Sequence, residues 1–188
     1  MNLALEHLCF KPEIDLFATN INTQFGKYAA FRPDPGAMYI DSFSIDRFDL
    51  KFYGFPPILV ISRVLAKVKQ DSAEGIKIVP FWPTQVWYPV MLKMLVSTPI
   101  LLNSRKSLLV LPQTPNLVHP MWKKMDMLVV HLSGSLQKAN QCQEMLLKYY
   151  QLHGEWEQKK GTTPMSKGLS SFVVKGTLLP FKQPLRWE

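Results

Sequence analysis

The clearest pattern of hydrophobic and polar positions in the chain is a helical stripe in residues 57–70. Its apolar members recur at three- and four-residue spacing: Ile58, Ile61, Val64, Leu65 and Val68. Arg63, Lys67 and Lys69 fall mostly off this stripe, so the pattern predicts an amphipathic helix with one buried face. Pro57 suits its first turn, because the N–H that proline lacks would have had no partner there.

Short apolar runs on both sides of this helix predict strands, since each is bounded by turn-forming residues. They occupy residues 13–19, 37–43, 76–82, 100–102 and 108–111, of which the last two are predicted to form a final pair of strands. Turns are predicted at residues 33–36, where Asp34 lies between two prolines, and at residues 71–75. A second helix is predicted after Thr84, which suits its N-cap, with Pro89 early in it. Strands separated by helices indicate a layered α/β domain over residues 1–112, with a mostly parallel sheet and helices on both faces.

Residues 113–188 have a different character. Their apolar residues are scattered apart from a helix candidate at Gln137 to Leu152, and residues 154–168 are polar and linker-like. We therefore predict that residues 113–188 form a linker and a tail that is partly helical or disordered.

The charge balance narrows the class of partner. The chain carries 22 Lys and Arg against 14 Asp and Glu, a formal net charge of +8. This balance favours binding to phosphates, although a solvated basic surface explains it equally well. The two cysteines, Cys9 and Cys142, lie far apart and build neither a disulfide framework nor a metal site, which suits a reducing setting. Arg or Lys breaks the longest apolar runs, and no secretory signal occurs, so we expect an intracellular protein, nuclear or cytoplasmic, with no membrane span.

Candidate metal and catalytic residues are few. The histidines lack the spacing of zinc ligands, and no Gly-rich nucleotide-binding loop occurs. Asp41, Asp46 and Asp49 have the chemistry to hold a divalent ion, but acids in a loop are more often solvated or capping residues. We therefore predict no metal site.

Aromatic residues gather at the junction between residues 76–82 and the second predicted helix. Trp82, Trp87 and Tyr88 lie where open α/β sheets bind ligands, at the carboxyl ends of strands. Their rings are suited to stacking on nucleic-acid bases and equally suited to a hydrophobic core. With Arg63 and Lys67 they make up a candidate nucleic-acid surface.

Several motifs occur in a fixed order: PEIDLFATNINTQFGKY, RPDPGAMYIDSF, YGFPPILVISRVLAKV, IVPFWPTQVWYPVML and HPMWKKMDMLVVHLSGS. In this order they resemble the segment of DIRS-type retrotransposon polyproteins that lies between the reverse transcriptase with RNase H and the tyrosine recombinase. The resemblance covers residues 10–135. It implies a protein connected with DNA integration, whose partners are the other domains of such a polyprotein. The tail, with KGLSSFVVKGTLLPFKQ, resembles the lead-in to a recombinase whose catalytic core we do not expect in this chain.

The same segment is similar to phage-type adenine-N6 methyltransferases, which implies a Rossmann-like fold that binds S-adenosylmethionine. The resemblance implies cofactor contacts at Asp15, Ala18, Asn20 or Asn22, Tyr28 and Asp41. It also aligns Phe55, Pro56, Pro57 and Ile58 with the family's Asn/Asp-Pro-Pro-Tyr/Phe loop, which holds the flipped adenine. Phe55 stands where the family has the acceptor of the amine hydrogens, and Ile58 stands where it has the stacking ring.

These departures lead to three hypotheses about function. Losing an oriented polar group at a reacting centre typically costs about 10² to 10³ in rate, which favours a non-catalytic methyltransferase-like domain that associates with DNA or RNA without a cofactor. One alternative is an active S-adenosylmethionine-dependent DNA adenine methyltransferase that uses another acceptor, such as Asp41 or Tyr53. The other is a structural spacer that packs against the reverse transcriptase, RNase H or recombinase domains through an exposed apolar surface.

Overall fold

A computed structural model describes residues 8–106, 108–109, 114, 117–123 and 125–149 in full, and the backbone of residues 150–160, 171–174 and 177–180. Its elements in chain order are β1 (Ile14–Asp15), β2 (Ala29–Ala30), β3 (Tyr39–Ile40), β4 (Lys51–Gly54), a 3₁₀ helix (Ile58–Val60), α1 (Ile61–Gln70), β5 (Glu74–Pro80), α2 (Trp87–Leu92), β6 (Ile100–Leu102), β7 (Met127–Ser133), α3 (Leu136–Lys160), β8 (Ser171–Val174) and β9 (Thr177–Pro180).

Five strands form one sheet in the order β1-β4-β5-β7-β6. Neighbours among β1, β4 and β5 are parallel, whereas β7 is antiparallel to both β5 and β6. It follows that β6 runs in the same direction as β5, and that β7 is the one reversed strand of these five. The prediction of a mostly parallel α/β sheet is confirmed.

The parallel pair β2 and β3 lies beside β1 and continues the sheet. Asp15 and Tyr28 form a parallel bridge, and the Ala18 N–H donates to the Ala29 carbonyl at 3.3 Å. The strand order therefore extends to β3-β2-β1-β4-β5-β7-β6. Because every strand except β7 runs the same way, their carboxyl ends share one side of the sheet, here called the carboxyl edge. The opposite side is the amino edge.

The hydrophobic core has one large and one smaller part on the two faces of the sheet. The large part joins Phe52, Val79, Leu128 and Val130 of the strands to the buried residues of the helices. In α1 those residues are the predicted stripe, namely Ile61, Val64, Leu65 and Val68. The α1 helix begins one turn later than predicted, because Pro57 is extended (φ −53°, ψ 142°) and precedes the 3₁₀ helix.

The smaller part of the core lies under loops instead of helices. Tyr53, Ile76 and Val129 point to this face, where Phe10 and Phe25 pack against them. Among the described residues, no helical residue packs against this part of the core. The prediction of helices on both faces therefore differs from the described structure. The β1–β2 and β2–β3 connections, residues 16–28 and 31–38, contain turns and no helix.

The sheet continues past residue 112, where the sequence placed a domain boundary. β7 pairs with β5 along its whole length and separates it from β6. Residues 108–109 lie outside any strand, and residues 110–111 of that predicted strand lie outside the described residues. The pairing expected of residues 108–111 with β6 is made by β7, all seven residues of which are buried.

The tail contains the predicted helix and one hairpin. α3 begins at Leu136, one residue before the predicted start, and continues to Lys160. Residues 154–160 of the predicted linker are the end of this helix, and residues 161–168 lie outside the described residues. β8 and β9 pair antiparallel with each other. In the part of the chain that the structure describes, no helix has both the length and the apolar character needed to cross a membrane.

Candidate functional site at the carboxyl edge

The loop after β4 presents hydrocarbon side chains to solvent. Phe55 and Ile58 are 43% and 38% exposed, and Leu59 is 96% exposed. Pro56 between them is buried, while the Pro57 carbonyl accepts the Val60 N–H at 3.0 Å and starts the 3₁₀ helix. The exposed side chains of this loop therefore offer no hydrogen-bond acceptor at the carboxyl end of β4.

Asp15, at the end of β1, is a buried carboxylate that holds its own loop in place. Its Oδ1 accepts the Phe17 N–H at 3.2 Å and its Oδ2 accepts the Gln24 N–H at 3.3 Å. Burial raises the pKa of Asp15 to about 6, and the two backbone hydrogen bonds oppose that rise. Both carboxylate oxygens are thus occupied within residues 15–24.

The loop that contains Ala18 and Asn20 is fastened to the turn before β3. Ala18 is 4% exposed and packs with Tyr28. Asp34 accepts hydrogen bonds from the Asn20 N–H and from the Tyr28 hydroxyl, each at 2.9 Å. The sequence identified Asp34 only as a turn residue, because nothing local shows that a carboxylate in a Pro-rich turn reaches another loop.

Asp41 follows β3, and it also forms hydrogen bonds with the backbone around it. It has a positive φ of 56°, its N–H donates to the Ala30 carbonyl at 2.8 Å, and its Oδ1 accepts the Phe43 N–H at 3.0 Å. Asp46 likewise accepts the Phe48 N–H at 2.9 Å. Within the described residues no group of three potential ligands is placed to hold a metal ion.

The residues aligned with the cofactor site do not fit S-adenosylmethionine in this arrangement. Asp15, Ala18, Asn20 and Asp41 all lie at the carboxyl edge, as parallel strands require. Asp15 is buried, with both its oxygens accepting backbone hydrogen bonds, and Ala18 is packed under Tyr28. The loop after β1 therefore lacks the accessible carboxylate and the open backbone cradle that a charged cofactor would need, and Asp41 is the one carboxylate of this set that is partly exposed.

The three predicted aromatic residues separate into core and edge positions. Trp87 and Tyr88 are only 5% and 6% exposed, and both belong to the large part of the core. Burial raises the pKa of the Tyr88 hydroxyl to about 12. Trp82 is partly exposed and packs against both parts of the core. Of the three, Trp82 alone keeps part of its ring at the carboxyl edge.

The two predicted basic contacts lie at opposite ends of α1. The Arg63 guanidinium is exposed in the first turn, with its Cζ 3.8 Å from the centroid of the Phe43 ring, which is a cation–π contact. Lys67 lies one turn closer to the amino edge and forms an ion pair with Asp71 at 3.0 Å. Arg63 therefore remains a candidate at the carboxyl edge, whereas Lys67 stabilises the end of the helix.

A second basic and aromatic cluster at this edge was missed from the sequence. Trp122 precedes β7, and Lys106 follows β6. The Nζ atoms of Lys106 and Lys123 lie 5.7 and 5.4 Å from the Trp122 ring centroid. We call Lys106, Trp122 and Lys123 the Trp122 cluster. The sequence had assigned residues 103–106 and 117–123 to different domains, so no local signal joined them.

Asp126 connects this cluster to the loop after β5. Its side-chain Oδ1 accepts the Ser104 N–H at 2.6 Å, and its carbonyl accepts the Phe81 N–H at 2.8 Å. The loops after β5 and β6 and the segment before β7 therefore meet at one residue. The carboxyl edge is continuous from the Phe55 loop past Trp82 to the Trp122 cluster.

Comparisons with models of known protein families and with curated proteins found no match to this chain. The functional proposal therefore rests on the geometry and charge of the carboxyl edge.

Proposed function

We propose that the chain is a non-catalytic, methyltransferase-like domain of a DIRS-type retroelement polyprotein that binds nucleic acid at its carboxyl edge. The observation that carries the proposal is the hydrocarbon surface of the Phe55–Ile58 loop. An adenine amine is a poor nucleophile, so transfer to it requires an oriented acceptor and a stacking ring beside the base. Phe55 and Ile58 supply neither group. The same loop remains where a base would approach the edge of such a fold.

The strand order supports the methyltransferase-like part of the proposal. In the order β3-β2-β1-β4-β5-β7-β6, the antiparallel strand β7 lies between β5 and β6. This inserted reversed strand is typical of the S-adenosylmethionine-dependent methyltransferase fold, which is the fold implied by the sequence resemblance. A relic of that fold would keep the sheet, which stabilises the domain, after losing residues used only in catalysis.

Charge supports the nucleic-acid part of the proposal. The net charge of +8 attracts a phosphate backbone. The exposed basic residues of the carboxyl edge include Arg63, Arg105, Lys106 and Lys123. The Phe43 ring lies beside Arg63, and the Trp122 ring lies within 6 Å of both lysine ammonium groups. A basic surface interleaved with aromatic rings is the usual form of a sequence-tolerant nucleic-acid site.

Fluorescence anisotropy with labelled single-stranded and duplex oligonucleotides tests binding directly. We expect affinity to fall steeply with salt, because each neutralised phosphate contributes about −0.7 to −0.9 to the slope of log K against log salt. Arg63→Gln should reduce that slope. Lys69→Gln is the matched control, since Lys69 is an exposed residue of the same helix near the amino edge. Absence of binding at low salt would exclude this function.

An exposed apolar surface favours the spacer role as a second candidate. Tyr39 and Ile40, which form the edge strand β3, are 38% and 53% exposed. Met38 before them and Phe31 after β2 are 51% and 81% exposed. An unpaired apolar edge is a site where another domain can add. The spacer role predicts that the isolated chain binds a hydrophobic dye and self-associates. Phe31→Ser with Ile40→Ser should reduce both signals, and a monomeric chain whose dye signal the substitutions leave unchanged would count against it.

A further inference from the structure

We infer that the Trp122 cluster is a stacking platform for a base of single-stranded nucleic acid, with Lys106 and Lys123 binding the adjacent phosphates. The inference rests on the proposed nucleic-acid function and identifies the form of the nucleic acid. The evidence is that two lysines distant in the sequence, Lys106 after β6 and Lys123 before β7, lie close to the same partly exposed Trp122 ring.

The Trp122 ring differs from a tryptophan that serves only the core. Trp87, for comparison, is 5% exposed and lies within the large part of the core. Trp122 is only partly buried and belongs to neither part of the core among the described residues. A ring that remains partly open on a basic surface keeps area available for a planar ligand.

The charges around this ring are not neutralised by carboxylates of the described chain. Among all the described residues, the basic partners of the ion pairs are Lys67, Lys138 and His131, and no ion pair involves Lys106 or Lys123. Both lysines are exposed. Two ammonium groups within 6 Å of one ring centroid repel each other, so an anion beside the ring would relieve that repulsion.

Stacking on an exposed indole requires a base that is free of its neighbours. In a duplex the bases are already stacked and only phosphates and groove edges are presented, so the ring would contribute little. In a single strand every base has a free face, and successive phosphates lie on both sides of it. The arrangement of lysine, indole and lysine therefore fits a single strand better than a duplex.

Asp126 acts as a positioning residue for this platform. Its hydrogen bond to the Ser104 N–H holds the start of the segment that contains Lys106. The same residue binds the loop after β5 through its carbonyl. A strand bound at Trp122 would therefore continue along the carboxyl edge toward Trp82.

Anisotropy with a labelled oligothymidylate and a duplex of equal length tests the platform. We expect Trp122→Ala to weaken single-strand binding about tenfold while leaving the duplex affinity within about twofold. Trp122→Phe should retain most of the single-strand affinity. Lys106→Gln with Lys123→Gln should reduce the single-strand salt slope by about 1.4. Lys51→Gln with Lys69→Gln, at the amino edge, is the control of equal charge.

The outcomes separate the two proposals. If the wild-type chain binds neither oligonucleotide, the nucleic-acid function fails, and the platform fails with it. If the wild-type chain binds and Trp122→Ala binds the single strand equally well, the platform alone fails. Displacement of the oligonucleotide by polyglutamate at equal charge concentration would also overturn it, because an acidic peptide has no base to stack. If Trp122→Ala does not fold, tryptophan fluorescence gives the same test: quenching by oligothymidylate should be clearly smaller in Trp122→Phe than in wild type, and equal quenching would overturn the platform.

Discussion

Lys77 and Arg47 both approach the ring of Phe52 in a part of the core that is closed to solvent. The Lys77 Nζ lies 4.9 Å from the ring centroid and the Arg47 Cζ lies 5.9 Å from it, and both residues are 0% exposed. Arg47 donates to the Ser42 carbonyl at 2.6 Å, but among the described residues its Nε and Nη1 and the Lys77 Nζ have no hydrogen-bond partner. Two buried basic side chains with unpaired donors destabilise the fold.

Replacing the buried amine should stabilise the protein. We expect Lys77→Met to raise the free energy of unfolding by about 1 to 3 kcal/mol, because an unsatisfied buried donor costs about that much. Urea denaturation followed by circular dichroism measures the change. Lys69→Met, on the exposed face of α1, should stay within about 0.5 kcal/mol of wild type. A loss of stability in Lys77→Met would mean that the amine has a partner or a bound anion.

The same lysine should make stability rise with pH in the alkaline range. Burial, and secondarily the charge of Arg47, holds the pKa of Lys77 well below its ordinary value of 10.5. Between the folded pKa and 10.5 the unfolded chain binds the extra proton, so the free energy of unfolding increases with pH through that window. The difference between wild type and Lys77→Met should therefore shrink as pH rises toward 10.5. A pH-independent difference would contradict the assignment.

Asp15 should give the opposite dependence in the acidic range. Its pKa is raised by burial from 3.8 to about 6, so the folded state binds more protons than the unfolded state between these values. The stability present at low pH is thus lost as pH rises through this window, on the order of 3 kcal/mol. Asp15→Asn should remove this dependence, because the amide oxygen can still accept the Phe17 N–H without carrying charge. Denaturant midpoints at pH 4 and pH 7 measure the effect, and an equal dependence in wild type and variant would refute it.

Cofactor binding distinguishes the non-catalytic proposal from the enzymatic alternative. We expect isothermal titration calorimetry with millimolar S-adenosylmethionine to show no saturable heat, because the Asp15 carboxylate is buried and occupied by backbone N–H groups. An adenine-containing duplex incubated with the protein and S-adenosylmethionine should carry no N6-methyladenine by mass spectrometry. An active adenine methyltransferase run in parallel is the positive control. Saturable heat together with methylated adenine would establish the enzymatic alternative.

A substitution at Gly134 tests whether the segment after residue 112 belongs to the same folding unit as α1. Its N–H donates to the Ala73 carbonyl at 2.8 Å, and a Cβ there would overlap the Val68 carbonyl oxygen and lie 2.9 Å from the Ser72 Cα. We expect Gly134→Ala to lower the free energy of unfolding by at least about 3 kcal/mol, since the backbone cannot move aside cheaply. Gly26→Ala is the control, because nothing lies within 4 Å of its Cβ position. Equal stability of the two variants would favour separate domains.

Local patterns predicted the elements whose structure depends on nearby residues. The stripe of α1 and the run that becomes β5 follow from side-chain periodicity, and both are close to the predicted bounds. The turns at residues 35–36 and 71–72, within the predicted turns 33–36 and 71–75, follow from the conformational preferences of Pro, Asp and Gly. The hydrocarbon character of Phe55 and Ile58 is also visible in the sequence, because it depends on residue type alone.

Other features depend on contacts between distant parts of the chain. No helix occurs among the described residues between β6 and β7, and no local signal shows that β7 separates β5 from β6. Trp87 fits a stacking ring or a core residue equally well by type, and only the packing of α2 against the sheet buries it. Asp34 is a turn residue by sequence, and in the structure its carboxylate accepts hydrogen bonds from Asn20 and Tyr28.

The sequence by itself determined the net charge of +8, the helical stripe of α1 and the absence of a polar acceptor at Phe55. Those properties depend on composition and on neighbours within a few residues. Only the tertiary structure decided that Lys106 and Lys123 meet at Trp122 and that Lys77 and Arg47 are buried beside Phe52. Such juxtapositions require strand pairing between remote segments, whose free energy comes from burial of the whole sheet and leaves no periodic trace along the chain.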